Sequence, residues 1–229
     1  MNRALAVARM QLTNKWIYLW IPLIILATST LISLAVFAMA PPEAPTVISG
    51  SGQSVMWYFF ALGIQAMTLI FPFSQALSVS RRAFYLGTLG LFSLAALTLA
   101  VLYWGLGLIE QATNGWGMDG AIFAIPWIAD GTWYEQILFY FGVTILLFML
   151  GFWSSTIYKR WRTVGLTVTL VGAAAVLLGL LALISWRDAW PSVGAWIVQL
   201  TPLSLGGWVL AAGALLAVTS YATLRRAVP

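Results

Sequence analysis

The sequence predicts an all-α, polytopic membrane protein: six transmembrane helices, both termini cytoplasmic, and a short re-entrant or interfacial helix before the last span. Three observations predict it. Of the 229 residues, 62% are hydrophobic and only 7% are charged, against about 25% charged in an ordinary soluble domain. The apolar residues form uninterrupted runs of about 20, the length a helix rising ~1.5 Å per residue needs to cross a ~30 Å hydrocarbon core. The charges fall between the runs, in clusters of one sign.

The first run, 16–40, follows a basic leader and ends in Ala38-Met39-Ala40. It is longer than the about 7–15 apolar residues of a signal peptide, and Pro41 follows the would-be cleavage point, so it reads as a retained span. Runs 55–77, 83–109, 136–158, 164–185 and 203–221 complete the set, as one transmembrane domain over 1–229. None carries a charge away from its ends, and none alternates polar and apolar residues as a barrel strand would. The connection 41–54 is rich in Pro, Gly and Ser and predicts an irregular loop. Connection 110–135 carries Gly115, Gly117, Gly120 and Gly131 around an apolar patch, 121–128. That patch either dips into the outer leaflet or packs over the bundle as a lid. In 186–202, the stretch 189–200 is apolar but too short to span. Segments of that kind survive at membrane depth only when protein or water covers their backbone.

Orientation follows from the basic residues. Arg3, Arg9 and Lys15 precede the first span, and Arg81 and Arg82 join the second to the third. Lys159, Arg160 and Arg162 join the fourth to the fifth, and Arg225 and Arg226 follow the sixth. The acids Glu43, Glu110, Asp119, Asp130, Glu135 and Asp188 all fall on the opposite side, with Arg187 the lone base there. The positive-inside rule places both termini in the cytoplasm. Glu110 and Glu135, at span ends beside an outer loop, read as solvated carboxylates. The tryptophans, mostly near span ends, read as interfacial anchors.

Several function classes are excluded. The chain has no Cys and no His, which removes thiolate metal sites and imidazole acid–base chemistry. It shows no catalytic constellation and expects no cofactor or metal of its own. The net charge of +5 is scattered in small groups, which suits membrane orientation and anionic lipid rather than nucleic acid. No G-x-x-x-x-G-K-[ST] phosphate loop is present. No ionisable residue lies at mid-span, where proton relays are built. The remaining polar candidates are Gln65 and Thr68 in the second span and Gln75 near its cytoplasmic end. They are either helix–helix glue or pathway lining, since an unpaired amide in hydrocarbon is costly. Pro72 removes one backbone bond and is a candidate hinge. Ser154, Ser155 and Thr156 are expected to bond back to helix carbonyls. Gly165, Gly172 and Gly179 recur every seven residues, and Gly207 and Ala211 form a small-xxx-small pair; both permit close helix packing.

The most informative local feature is the cytoplasmic turn Gln75-Ala-Leu-Ser-Val-Ser-Arg-Arg-Ala-Phe-Tyr-Leu-Gly87. It reads either as a topogenic arginine pair on lipid headgroups or as a docking knob of two cations and an exposed Phe84. In its topology throughout, and in motif at this turn, the chain resembles the small six-span permease subunits of ABC type-2 transporters, the exporter-type or type V permeases. Ser80, Arg81, Arg82, Phe84 and Gly87 match the Ser/Thr-Arg-Arg/Lys-x-Phe pattern of that family's coupling helix. The stretch 3–15, with apolar Leu5, Leu12 and Trp16, resembles its interfacial helix. The stretch 189–200 resembles its extracellular re-entrant segment. The resemblance implies a bacterial plasma-membrane exporter: a homodimer of this chain, surrounded by membrane lipids and driven by two separate ATPase subunits that carry ATP and Mg and touch Ser80, Arg81, Arg82 and Phe84. The competing expectations are an accessory or assembly protein without a transport path, a gradient-driven carrier and an intramembrane enzyme.

Overall fold

Long apolar helices account for most of the chain. The computed structural model describes residues 3–41 and 46–225, with the backbone alone for 3–5. Glu43, Arg226 and the side chains of Arg3 and Leu5 lie outside the described residues. Helix α1 (Arg3–Leu12) precedes a rod, Trp16–Phe37, built from a π-helical turn, Trp16–Trp20, and α2 (Ile21–Phe37). A second rod, Gly50–Ala76, runs through a 3₁₀ turn, α3 (Ser54–Gln65), a second π turn, Ala66–Ile70, and α4 (Phe71–Ala76). Then come α5 (Arg81–Ala112), the single turn α6 (Pro126–Ala129), α7 (Trp133–Trp186), α8 (Trp190–Val198) and α9 (Pro202–Leu224). A parallel bridge pairs β1 (Val47–Ile48) with β2 (Gly120–Ala121) and ties the two long loops together.

Among the described residues, five helical rods are long and apolar enough to cross a membrane, with mean hydropathy between 1.6 and 2.5. The fourth, α7, is 54 residues long and breaks at Arg162, where φ is 58° and ψ is −157°. The expected spans 136–158 and 164–185 are its two limbs. A left-handed φ costs a non-glycine residue on the order of 1–3 kcal/mol. Gly165 makes the reversal sterically possible, because a Cβ there would overlap the Trp161 side chain. Elsewhere the helix ends shift by a few residues from the expected ones. The first rod stops at Phe37 rather than 40, α5 spans Arg81–Ala112 rather than 83–109, and α9 continues to Leu224.

Both π turns have the same cause. Each ends two residues before a proline, Pro22 or Pro72. A proline ring collides with the carbonyl one α-turn behind it and donates no hydrogen bond. Widening the preceding turn relieves that collision. Ile21 N–H therefore bonds to Trp16 O, and Phe71 N–H to Ala66 O, each five residues back. Pro22 leaves the Ile17 carbonyl without its helical donor, and the Tyr58 hydroxyl donates to it at 3.0 Å. The irregularity expected at Pro72 is thus a π turn.

The first limb of α7, 133–161, is the central post. Rod α9 runs parallel to it: Gly206 faces Phe139, Gly213 faces Leu146, and Thr223 donates to Thr156 across 67 residues of sequence. The chain between must return the full length of the bundle, which the second limb, 163–186, supplies. Helix α5 runs antiparallel to the post along an aromatic ladder, with ring centroids 5.9 Å apart for Tyr85 and Phe152, 4.0 Å for Phe92 and Phe148, and 5.3 Å for Tyr103 and Tyr140. Lipid is as apolar as leucine, so packing and hydrogen bonds rather than burial from water hold such helices together. The tightest contact joins α3 to the post. A Cβ on Gly63 would overlap the Phe148 carbonyl and lie 2.7 Å from the Phe152 nitrogen, and one on Gly151 would overlap the Phe60 carbonyl.

The glycines singled out from the sequence behave differently. Gly172, Gly179 and Gly207 have nothing within 4 Å, and the close contacts with the post fall instead to Gly63, Gly151, Gly206 and Gly142. The second limb exposes Val168, Leu170, Val171, Leu177 and Leu178 on every side.

Substituting Gly63 or Gly151 by Val should lower stability in detergent by at least the about 1–3 kcal/mol of an overpacked core. Gly172→Val should be close to neutral. Thermal unfolding of the three variants checks this ordering.

Candidate functional site

Arg81, Arg82, Arg160 and Arg225 meet at one end of the bundle. Rod Gly50–Ala76 ends there in a turn that its own polar groups close. Ser78 takes a left-handed φ of 57°. Ser78 N–H donates to Gln75 O at 2.9 Å, and Val79 N–H to Ser74 O at 3.0 Å. The Gln75 amide donates back to Val79 O at 3.0 Å. Gln75 is therefore a staple for the turn. Ser80 caps α5 by accepting from Ala83 N–H at 3.3 Å. Asp, Ser and Thr are favoured at that position because a side-chain oxygen satisfies an orphan helix donor.

Arg81 and Arg82 then part company. The Arg81 guanidinium donates to the carbonyls of Leu224 at 3.4 Å and Arg225 at 2.7 Å. A cation there meets the orphan carbonyls and the negative end of the α9 dipole. Tyr85 adds a second tie, its hydroxyl donating to Ala217 O at 2.7 Å. The turn is thus fastened to the last helix. Arg82 is exposed beside it. Phe84 departs from expectation: it is fully buried, 0% exposed, with its ring 5.2 Å from that of Phe71. Four residues past the cap, its side chain turns inward onto α4, so it anchors the turn and presents no aromatic knob. Nearby, Arg160 lies over the Trp161 ring at 4.1 Å. A cleft of about 540 Å³ is lined by Arg160, Ala222, Thr223 and Arg225.

The N-terminal helix packs against α5 on a face other than the expected one. Leu12 and Trp16 are exposed, whereas Val7 and Gln11 are buried. The Gln11 amide donates to Thr88 Oγ1 at 2.7 Å. Gln65 faces a cavity of about 220 Å³ together with Gln11, Asn14 and Tyr18. Thr68 bonds back to Ile64 O at 3.0 Å, as Ser154 does to Leu150 O at 2.7 Å. The structure therefore gathers Ser80, Arg81, Arg82 and Phe84 at one turn, ties that turn to α9 through Arg81 and Tyr85, and leaves Gln65 and Thr68 apart on the rod above.

The acidic end is a closed cap. The patch 121–128 packs over the bundle, with Ala121, Ile122, Phe123 and Ile128 buried. Glu110, expected to be solvated, is 1% exposed. Its carboxylate accepts from Ile122 N–H at 3.0 Å, Phe123 N–H at 3.2 Å, Ala124 N–H at 2.8 Å and the Trp116 indole at 2.7 Å. Burying the patch strips three backbone donors of water, and they must find an acceptor. Glu110 is that acceptor. The signal was present in the sequence: an acid ending an apolar helix, a glycine-rich reversal, and then an apolar segment with no strand partner long enough to satisfy it. The reversal passes through positive φ at Asn114, Gly115, Trp116 and Gly117, and Gly115 is required because a Cβ would overlap Gly120. The hydroxyls of Tyr103 and Tyr140 donate to Gly52 O and Phe123 O. Glu135 also serves the backbone, accepting from Thr132 N–H at 2.7 Å in a capping box at the start of α7. Among the described residues, no group of His, Cys, Asp or Glu is arranged to hold a metal ion.

The sequence matches no family model, and no curated protein or solved structure is significantly similar to it.

Glu110→Ala should leave three buried N–H groups without an acceptor, at about 1–3 kcal/mol each. Hydrogen exchange should accelerate at Ile122, Phe123 and Ala124 while the amides around Gly63 and Gly151 stay protected.

Proposed function

We propose that this chain is the six-span permease subunit of a bacterial ATP-binding-cassette exporter, driven by separate ATPase subunits that dock on its basic end. The rods Trp16–Phe37, Gly50–Ala76 and Arg81–Ala112, the two limbs of α7 and the rod Pro202–Leu224 are the six crossings. The outer surface supports a lipid setting: large apolar side chains such as Leu31, Leu94, Leu178 and Val218 lie exposed along the rods. A water-soluble monomer rarely carries so much contiguous apolar surface. The segregation of Arg81, Arg82, Arg160 and Arg225 to one end supports a cytoplasmic assignment for that end and for both termini.

The observation that carries the coupling is the Arg81 tie. A partner pressing on the turn 77–80 through Arg82 displaces α9 as well as the two rods the turn joins, because Arg81 and Tyr85 fasten the turn to α9. A push on a tight, stapled turn reaches three helices without slack. The chain has no phosphate loop of its own, so in this reading ATP and Mg belong to the partner. The exposed second limb, 163–186, supports assembly with further membrane chains, a second copy of this one included. The same exposed limb favours the second reading, an assembly protein without a transport path.

Two measurements test the proposal. The chain has no native cysteine, so single cysteines report topology: Ser78→Cys should react only from the cytoplasm and Met118→Cys only from outside. In proteoliposomes, the chain should stimulate its partner's ATP hydrolysis, and Arg82→Glu should return it to the basal rate while Arg9→Gln does not. Stimulation unaffected by Arg82→Glu overturns docking at this turn.

A further inference from the structure

We infer that the cavity between α1 and the two π turns is a binding site for a neutral amphiphile with a hydroxyl-bearing head, entering from the cytoplasmic leaflet. The starting point is Gln11. It is 3% exposed. Thr88 satisfies one end of its amide, and the other end, Oε1, has no partner. A buried polar atom left unpaired costs its full desolvation, and native structures leave few of them. Gln11 is among the residues that line a cavity of about 220 Å³.

The other polar groups of that cavity are exposed at Asn14 and half-buried at Tyr18 and Gln65, so among the described residues Gln11 Oε1 alone is fully buried without a partner. Asn14, Tyr18 and Gln65 line it with Gln11, and their side chains make no hydrogen bond among the described residues. Two amides and a phenol both donate and accept, and the free end of Gln11, its Oε1, accepts. A hydroxyl, which also does both, is the complement. None of the lining residues is charged, so a carboxylate or ammonium head would be desolvated there without a counter-charge.

Both long walls are the irregular ones. Ile17 and Tyr18 belong to the first π turn, Leu69 and Ile70 to the second. Proline forces each turn open, and the widened backbones face the same space. Single π turns inside α-helices are frequent at functional sites.

Size and depth set the rest. The cavity, about 220 Å³ and open on one side, takes a head group the size of glycerol. The rim supplies a path for the tail: Leu69 is 62% exposed and Phe73 57%. Thr88, which fixes Gln11, lies seven residues along α5 from Arg81, so the polar groups lie ~10 Å inside the basic end. That is the depth at which a neutral head crosses into hydrocarbon. The inference deepens the proposed function, and rests on it in placing this end at the inner leaflet and in making the ligand a cargo. Binding itself needs no ATPase.

The test uses the purified full chain in phosphatidylcholine nanodiscs, without any ATPase, and a diazirine-bearing monoacylglycerol. Crosslinks should map to 10–18 and 65–73. Excess monooleoylglycerol should displace the probe, whereas methyl oleate, which has no donor, and free glycerol, which has no tail, should not. Gln65→Leu, which removes no hydrogen bond within the chain, should cut labelling about 5-fold, the scale of one hydrogen bond. Gln11→Leu should do the same. An unchanged elution profile and unfolding temperature for Gln65→Leu separates lost binding from lost fold. Displacement by methyl oleate or oleate as effective as by monooleoylglycerol overturns the inference. So does labelling that Gln65→Leu leaves intact, or labelling that never saturates, the signature of a cavity filled by water only. Failure here with ATPase stimulation preserved removes the ligand site alone; specific labelling with no ATPase stimulation removes the proposed drive and keeps the site.

Discussion

The bundle depends on one backbone contact, the crossing of α3 and the first limb of α7 at Gly63 and Gly151. Two helices approach this closely only where neither carries a side chain. In lipid no solvent-driven burial compensates for a poor fit, so the crossing fixes where the rod Gly50–Ala76 lies on the central post. From that fixed point the rod extends both ways. In one direction it ends in the 3₁₀ turn beneath the acidic cap. In the other it passes the π turn and Pro72 and ends in the basic turn.

The two ends are held by opposite chemistry, and the difference has mechanical meaning. At the acidic end one buried carboxylate gathers four N–H donors from the segment it covers, and two tyrosine hydroxyls pin the loops on either side. Such a closed network is stiff, because loosening any member leaves another unpaired in a dry setting. At the basic end, among the described residues, Arg81 and Tyr85 donate to carbonyls of α9 and its C-cap, and Thr223 donates to Thr156 of the post. They link helices to one another rather than sealing a cap. The acidic end is thus a sealed cap, and the basic end a set of ties between helices.

The long apolar helices were legible in the sequence because uninterrupted apolar runs with few charges announce themselves. The break at Arg162 was legible too, as the basic cluster between two runs. What the sequence hid was which face of a uniformly apolar helix meets which neighbour. Gly63 and Gly151 pack at backbone distance while Gly172 and Gly179 meet nothing, although all four lie in equally apolar surroundings. Phe84 was misplaced for a related reason. A turn read as a string of residues exposes all of them, whereas a helix beginning at Arg81 turns its fourth residue inward. Glu110 was misread because acids at span ends are usually solvated, and the apolar segment that follows the glycine-rich reversal was read without asking where its backbone donors bond. Gln65 was open between packing and pathway, and the structure places it on the cavity with Gln11 and Asn14.

The central claim is that this chain does no chemistry of its own and is moved at its basic end by another protein's nucleotide cycle. Affinity capture of the tagged chain from gently solubilised native membranes, followed by identification of every co-purifying chain, tests it most directly. The account predicts a stoichiometric companion carrying a glycine-rich phosphate loop. Transport by the chain reconstituted alone, in liposomes without nucleotide and with no such companion in the native capture, would contradict it.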